Sequence, residues 1–227
     1  MKVRSQFRRL RPIRNRTQLP PDHRDKYLDY LETSYLFSIF ELFALVRDKP
    51  GHVVELGVGA GRNAILFGNL LKMTGQSSNS RYFGFDTFSN YPDRDLQRNP
   101  HLDSTKWKGN SLGFVELRLS RHGLSGICEL VEGDVQETLN VFLDEEHPRY
   151  SPGAFYCRLV YVDTSTYSAA RIGMHTLFDR LVPGGVLAID QRRQGDEWIA
   201  FMEFCTDRGL EPNCGVSDNG VVAFVVR

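Results

Sequence analysis

The 227-residue chain is short of several features that would place a protein early. No apolar run approaches the ~18 residues of a membrane-spanning helix, so no membrane partner is expected. The most apolar stretch, Leu36 to Val46, is interrupted by Ser38 and Glu41 and reads as an amphipathic core helix. Cysteine is sparse and scattered: Cys128, Cys157, Cys205 and Cys214 form no C-x-x-C pair. Reduced thiols in a cytoplasmic protein are the simplest account. Net charge is missing too, because Lys+Arg and Asp+Glu balance at 28 each. The whole-protein field therefore gives no reason to expect nucleic acid. No internal repeat and no second domain show in the pattern, and the length suits one large α/β domain.

What the chain does have begins with a basic arm, residues 1–21. Lys2, Arg4, Arg8, Arg9, Arg11, Arg14 and Arg16 come with no acid among them, and the arm lacks the apolar core of a secretory signal. It can bind phosphate-bearing groups, stay solvated, or pack on the body or on a partner subunit. Packing, on the body or on a partner subunit, is preferred, and a homo-oligomer joined through the arm is one arrangement that it allows. Pro20-Pro21-Asp22 ends the arm, with Asp22 a candidate N-cap, and residues 22–227 make the single domain. From His23 to Arg47 apolar positions recur at three and four, so one or two helices precede the first strand.

The chain is organised around residues 52–67. His52 to Leu56 suits a buried parallel strand, and a helical pattern starts at Asn63. Between them Gly57, Gly59 and Gly61 stand at alternate positions, which brings backbone N–H groups close to a bound cofactor. A nicotinamide dinucleotide turn, G-x-G-x-x-G, needs its third glycine where Arg62 stands. That weighs against an oxidoreductase.

Further strands are expected at Arg81–Asp86, Ile127–Glu132, Arg158–Asp163 and Val186–Asp190, with helices near 109–122, 135–143, 165–181 and 196–208. Val182-Pro-Gly-Gly185 reads as a helix-to-strand turn. Ser217-Asp-Asn-Gly220 reads as a hairpin turn before a reversed last strand. Residues 87–108 form a long polar connection without periodicity, the kind of loop that is usually functional. Tyr91, His101 and Trp107 within it are candidates to meet an acceptor, or equally loop-packing residues. Asp86 ends the second strand, where an acid accepts from a ribose diol or caps a helix. His175, between apolar neighbours in a helix, reads as a packed or surface histidine.

Glu55-x-Gly57-x-Gly59-x-Gly61 resembles the E/D-x-G-x-G-x-G turn of class I S-adenosylmethionine (SAM) methyltransferases. With it, Gly84-Phe-Asp-Thr-Phe88, Gly133-Asp134, Asp163-Thr-Ser-Thr-Tyr167 and Pro183-Gly-Gly-x-x-x-x-Asp190 resemble, in order and spacing, the macrocin-type (TylF-like) sugar O-methyltransferases. The likeness covers about residues 23–227. It implies a Rossmann-like, doubly wound seven-stranded sheet with a reversed last strand, and N-terminal helices over the cleft. It also implies SAM as cofactor. Glu55 and the Gly57, Gly59 and Gly61 backbone would hold the methionine part, Asp86 the ribose and Asp134 the adenine, with Thr87, Val135 and Asp163 also among the cofactor-binding residues it implies.

In that family four carboxylates at the ends of strands four and five hold a Mg²⁺ that orients the acceptor. Here Asp163 and Asp190 match two of them, while Ser165 and Gln191 replace the others. Asp163 and Asp190 are thus the two candidate metal ligands, and metal use and its absence both fit. The implied activity is methylation of a hydroxyl on a small sugar-like or natural-product acceptor, with Asp163 as general base. The rivals are a SAM-binding protein of this fold that has lost catalysis and a nicotinamide-dependent oxidoreductase.

Overall fold

A computed structural model describes residues 30–103, 105–107, 109–144, 154–190, 195–214 and 222–227. The basic arm, Asp22, Gln191 and the turn at 217–220 lie outside the described residues. By its internal contacts the chain divides into Met1–Thr33 and Ser34–Arg227, and every site residue named below belongs to the second unit.

The elements alternate: α1 (Tyr30–Val46), β1 (His52–Leu56), α2 (Arg62–Met73), β2 (Tyr82–Asp86), α3 (Asp93–Arg98), α4 (Leu112–Arg121), β3 (Cys128–Glu132), α5 (Val135–Asp144), β4 (Cys157–Val162), α6 (Tyr167–Phe178), β5 (Leu181–Asp190), α7 (Asp196–Arg208), β6 (Asn213–Cys214) and β7 (Val222–Val226). They build a seven-stranded sheet in the order β3-β2-β1-β4-β5-β7-β6. Neighbouring strands from β3 to β5 pair parallel, and β7 runs antiparallel to both β5 and β6. This is the doubly wound sheet with a reversed last strand that the sequence led us to expect.

Strand side chains alternate between two cores. Val54, Leu56, Phe83, Phe85, Val160, Val162, Leu187 and Ile189 meet one cluster with Leu139, Met174, Leu177, Phe201 and Phe204 from α5, α6 and α7. Val53, Tyr82, Leu159, Tyr161, Val186 and Ala188 meet the other with Ile39, Phe43, Phe67, Leu71, Val115 and Leu119 from α1, α2 and α4. Burial on both faces is why the strands read as apolar runs rather than as alternation. Each fully buried Leu or Phe contributes about 1.5–3 kcal/mol. The four cysteines are free, three of them buried. No helix among the described residues is long and apolar enough to cross a membrane.

Three local expectations need correction. Helix α1 is not amphipathic: Ile39, Leu42 and Phe43 are buried, yet Phe37, Phe40 and Leu45 are about half exposed on the other side. Val182-Pro-Gly-Gly185 is not a separate turn but lies inside β5. Leu181 already pairs with Cys157, a register shift absorbs the glycines, and Gly184 N–H donates to Arg227 O at 2.9 Å. The connection after β2 contains the short helix α3, with Asp93 and Asp95 in its first turn and Arg98 in its last. Charges placed that way favour the helix dipole, a signal that apolar periodicity does not carry.

Candidate active site

The carboxyl ends of β3, β2, β1, β4 and β5 lie side by side along one edge of the sheet, and the predicted site residues sit there in the order Asp134, Asp86, glycine turn, Asp163, Asp190. Parallel pairing produces this arrangement, since every strand then ends on the same side.

The glycine turn brings β1 against β4. Gly57 has φ +89°, and a Cβ on it would stand 2.1 Å from the Asp163 carbonyl oxygen. Only glycine permits both the conformation and the approach. The Asp163 N–H donates to Leu56 O at 2.8 Å, which locks the two strand ends together. Gly61 enters α2 in the left-handed region, and no side chain caps that helix. Arg118 donates to the Ala60 carbonyl and braces the turn from α4.

Glu55 lies beneath this turn, fully buried. Its Oε1 accepts from Asn63 Nδ2 at 2.8 Å and its Oε2 accepts from Tyr82 OH. Asn63 Oδ1 in turn accepts from Tyr35 OH at 2.5 Å. Burial pushes the Glu55 carboxyl up to about 8, against the bonds from Tyr82 and Asn63. Burial also raises the Tyr35 and Tyr82 phenols. The sequence expectation had Glu55 meeting the methionine part directly. Its side chain has no solvent-facing surface and instead ties α1, α2 and β2 to the turn.

Asp86 is placed differently. Its Oδ2 accepts from Gly59 N–H at 2.8 Å and its Oδ1 from Phe88 N–H at 2.7 Å, and it remains half-buried. Burial raises its pKa while the backbone bonds oppose that rise. The neighbouring Thr87 hydroxyl donates to Asn90 O at 3.0 Å. Phe88 takes φ +46°, a left-handed conformation costly for a non-glycine residue and common at functional turns. Asp134 Oδ1 accepts from Gln136 N–H at 3.0 Å, capping α5, and its other oxygen pairs with Arg94. The Val135 side chain is buried in the core.

At the other end, half-buried Asp163 and Asp190 follow β4 and end β5. Ser165 holds φ +58°. The loop carrying it is pinned by Glu197 of α7, whose Oε1 accepts from Thr164 N–H at 2.6 Å and Thr164 Oγ1 at 3.1 Å. Burial first, then the charge of Asp190, pushes the Glu197 carboxyl up to about 8. Among the described residues no group of three or more His, Cys, Asp or Glu is placed to hold a metal ion. Asp163 and Asp190 stand without the other two carboxylates of the set that the resemblance implied, since Ser165 and Gln191 replace them and Glu197 is turned toward Thr164.

The connection after β2 folds over the same edge. Trp107 Nε1 donates to Tyr91 OH at 2.7 Å, and its ring lies on Gly59. Arg98 stacks 3.9 Å over Tyr167 and lies 3.5 Å from Asp196. His101 is exposed, its backbone N–H donating to Asn99 Oδ1 at 3.2 Å. His175 is partly exposed, with its ring edge-on to Phe204 and its Nε2 3.8 Å from Asp207. Sequence reasoning missed Tyr35, Asn63, Tyr82, Arg94 and Glu197. Apart from the bond of Asn63 to Glu55, eight positions away, their roles arise from contacts across 27 or more positions, and no local spacing marks them.

Comparison with solved structures supports the fold. CalS11, a calicheamicin methyltransferase, superposes with a TM-score of 0.71 at 22% identity over 92% of this chain and 87% of that one. The O-methyltransferase NovP gives 0.67 at 17% identity over 83% and 78%. An O-methyltransferase from Bacillus cereus, in complex with SAH, gives 0.55 at 12% identity over 88% and 83%. No curated protein matches the chain in sequence. The profile described as "Methyltransferase domain" matches residues 54–191, more than half of the chain and the span that runs from β1 through Asp190. The chain belongs to that methyltransferase-domain family.

Proposed function

We propose that the chain is a SAM-dependent O-methyltransferase acting on a hydroxyl of a small sugar-like or natural-product acceptor. The observation that carries this reading is the sequence of polar groups along the sheet edge: Asp134, Asp86, the glycine turn and Asp163 at the ends of β3, β2, β1 and β4. That order suits an adenine, a ribose diol, an amino-acid tail and a reacting centre in succession. Similar proteins support the acceptor class. CalS11 is a TDP-rhamnose 3'-O-methyltransferase and NovP an O-methyltransferase.

When bound, SAM supplies a methyl group already electrophilic on its sulfonium. The protein then has two tasks, alignment and proton removal. Asp134 accepts from the adenine amino group while capping α5, and Asp86 accepts from the ribose hydroxyls with its remaining lone pairs. The uncapped N-terminus of α2 favours the methionine carboxylate. Asp163 takes the acceptor proton. Glu197 holds Thr164 and so fixes the loop that follows this base. No step is assigned to a metal.

The competing reading, a SAM-binding protein without catalysis, draws on Ser165 standing where the family pattern has a carboxylate. A thermal-shift comparison of S-adenosylhomocysteine with NAD⁺ tests the cofactor. At ~100 times its Kd a ligand adds about 2.7 kcal/mol, or roughly 5–10 °C for a chain of this size. A shift with S-adenosylhomocysteine alone is expected, and a shift with NAD⁺ alone refutes the reading. Methyl transfer to a panel of sugar and polyol acceptors, lost in Asp163→Ala, separates catalysis from mere binding.

A further inference from the structure

Two of the groups assigned above to the cofactor are covered by the same stretch of chain, the one between β2 and α4. A Cβ at Gly59 would lie 3.0, 3.3 and 3.5 Å from Cζ3, Cη2 and Cε3 of Trp107. The six-membered ring of the indole therefore rests on the face of the turn that the missing Cβ leaves bare. Ligand atoms in van der Waals contact with that backbone face need the same space, about 3.5–4 Å away, so ring and ligand exclude one another there. Independently, Arg94 of α3 pairs with Asp134, the adenine acceptor. One segment thus covers Gly59 and pairs with Asp134.

The hold is weak. Trp107 is half-buried and its indole N–H has one hydrogen bond, to Tyr91 OH at 2.7 Å. Lys106 Nζ lies over the ring, 4.5 Å from its centroid. Arg94 pairs with Asp134 and also lies 3.7 Å from Asp95, but its side chain is 41% exposed, which screens both pairs. A ligand that binds the open arrangement better than the covered one can displace contacts of this kind.

Resting on the SAM-binding reading of the site, we propose that Trp107 is the residue a bound cofactor displaces. In the free chain the indole covers Gly59 and Arg94 pairs with Asp134. Binding moves the indole off Gly59 and releases Asp134 from Arg94, so the cover competes with the cofactor and lowers its apparent affinity.

The chain has two tryptophans, Trp107 and Trp198, so a Trp198→Phe variant leaves the Trp107 indole as the sole reporter. Acrylamide quenching of its emission is read with and without S-adenosylhomocysteine, while calorimetry records binding separately. Quenching is expected to rise about twofold on binding. Trp107→Ala, and independently the surface substitution Arg94→Ala, are expected to bind S-adenosylhomocysteine about three- to tenfold more tightly. Calorimetric binding with unchanged or reduced quenching overturns the cover, as does weaker binding by both variants. Absence of calorimetric binding in the wild-type chain overturns the cofactor reading itself, and fluorescence plays no part in that outcome.

Discussion

Replacing Glu55 by glutamine isolates one buried proton. The carboxyl is fully buried, and desolvation raises it from its ordinary 4.5 to about 8. Between those values the folded chain keeps a proton that the unfolded chain has released. Stability therefore falls by about 1.4 kcal/mol per pH unit across that window, and the contribution present below pH 4.5 is fully lost above the folded value. The window sets a ceiling on the order of 3–5 kcal/mol. Glutamine has the same shape. Its oxygen can accept from Asn63 Nδ2, and its amide can donate to the Tyr82 oxygen, so the network survives without a titrating group. Urea unfolding followed by circular dichroism from pH 5 to 9 gives the difference between variant and wild type. Near pH 5 the two are expected to agree within about 1 kcal/mol, the net worth of one hydrogen bond. At pH 9 Glu55→Gln is expected to be the more stable by several kcal/mol, which for this size is roughly 5–15 °C in Tm. A difference that stays constant from pH 5 to 9 refutes the argument, because the buried carboxyl would then titrate as it does in water.

Three more outcomes follow from the same packing. Gly57→Ala places a Cβ 2.1 Å from the Asp163 carbonyl oxygen at φ +89°, so a thermal melt is expected to show a loss above about 3 kcal/mol. Arg158, 1% exposed, donates from Nη1 to Arg47 O and Lys49 O and from Nη2 to Ser80 Oγ, all at 3.1 Å. Arg158→Met strands those acceptors and is expected to cost about 2–4 kcal/mol in urea unfolding, whereas no measurable loss would mean the bonds are not made. Glu197→Ala frees Thr164 and is expected to destabilise by about 1–3 kcal/mol at pH 6, while Glu197→Gln keeps the acceptor and loses less than about 1 kcal/mol. Equal losses in the two variants would show that the Thr164 bond is not what Glu197 contributes.

The sequence by itself determined the sheet and the order of the site. Short apolar strands separated by helix periods, three alternate glycines, and acids ending β2, β4 and β5 are local patterns, and the structure carries each of them at the expected place. Parallel pairing then leaves one edge where Asp86, Asp134, Asp163 and Asp190 can stand, so their neighbourhood follows from topology alone. What only the tertiary structure decided is which way the polar side chains point and what they touch. Glu55 belongs to the same string as the glycines, yet strand alternation turns it into the protein beneath the turn, where Tyr82 and Asn63 hold it. Glu197 occupies the first turn of α7 like any surface acid, and becomes a support of the Asp163 loop because α7, packed on α6 and β5, brings its start to Thr164. Trp107 stood among undistinguished loop aromatics until the connection after β2 folded across the edge and set its ring on Gly59. Periodicity encodes the path of the backbone. Contacts between residues tens of positions apart depend on how those paths pack, and no spacing along the chain records them.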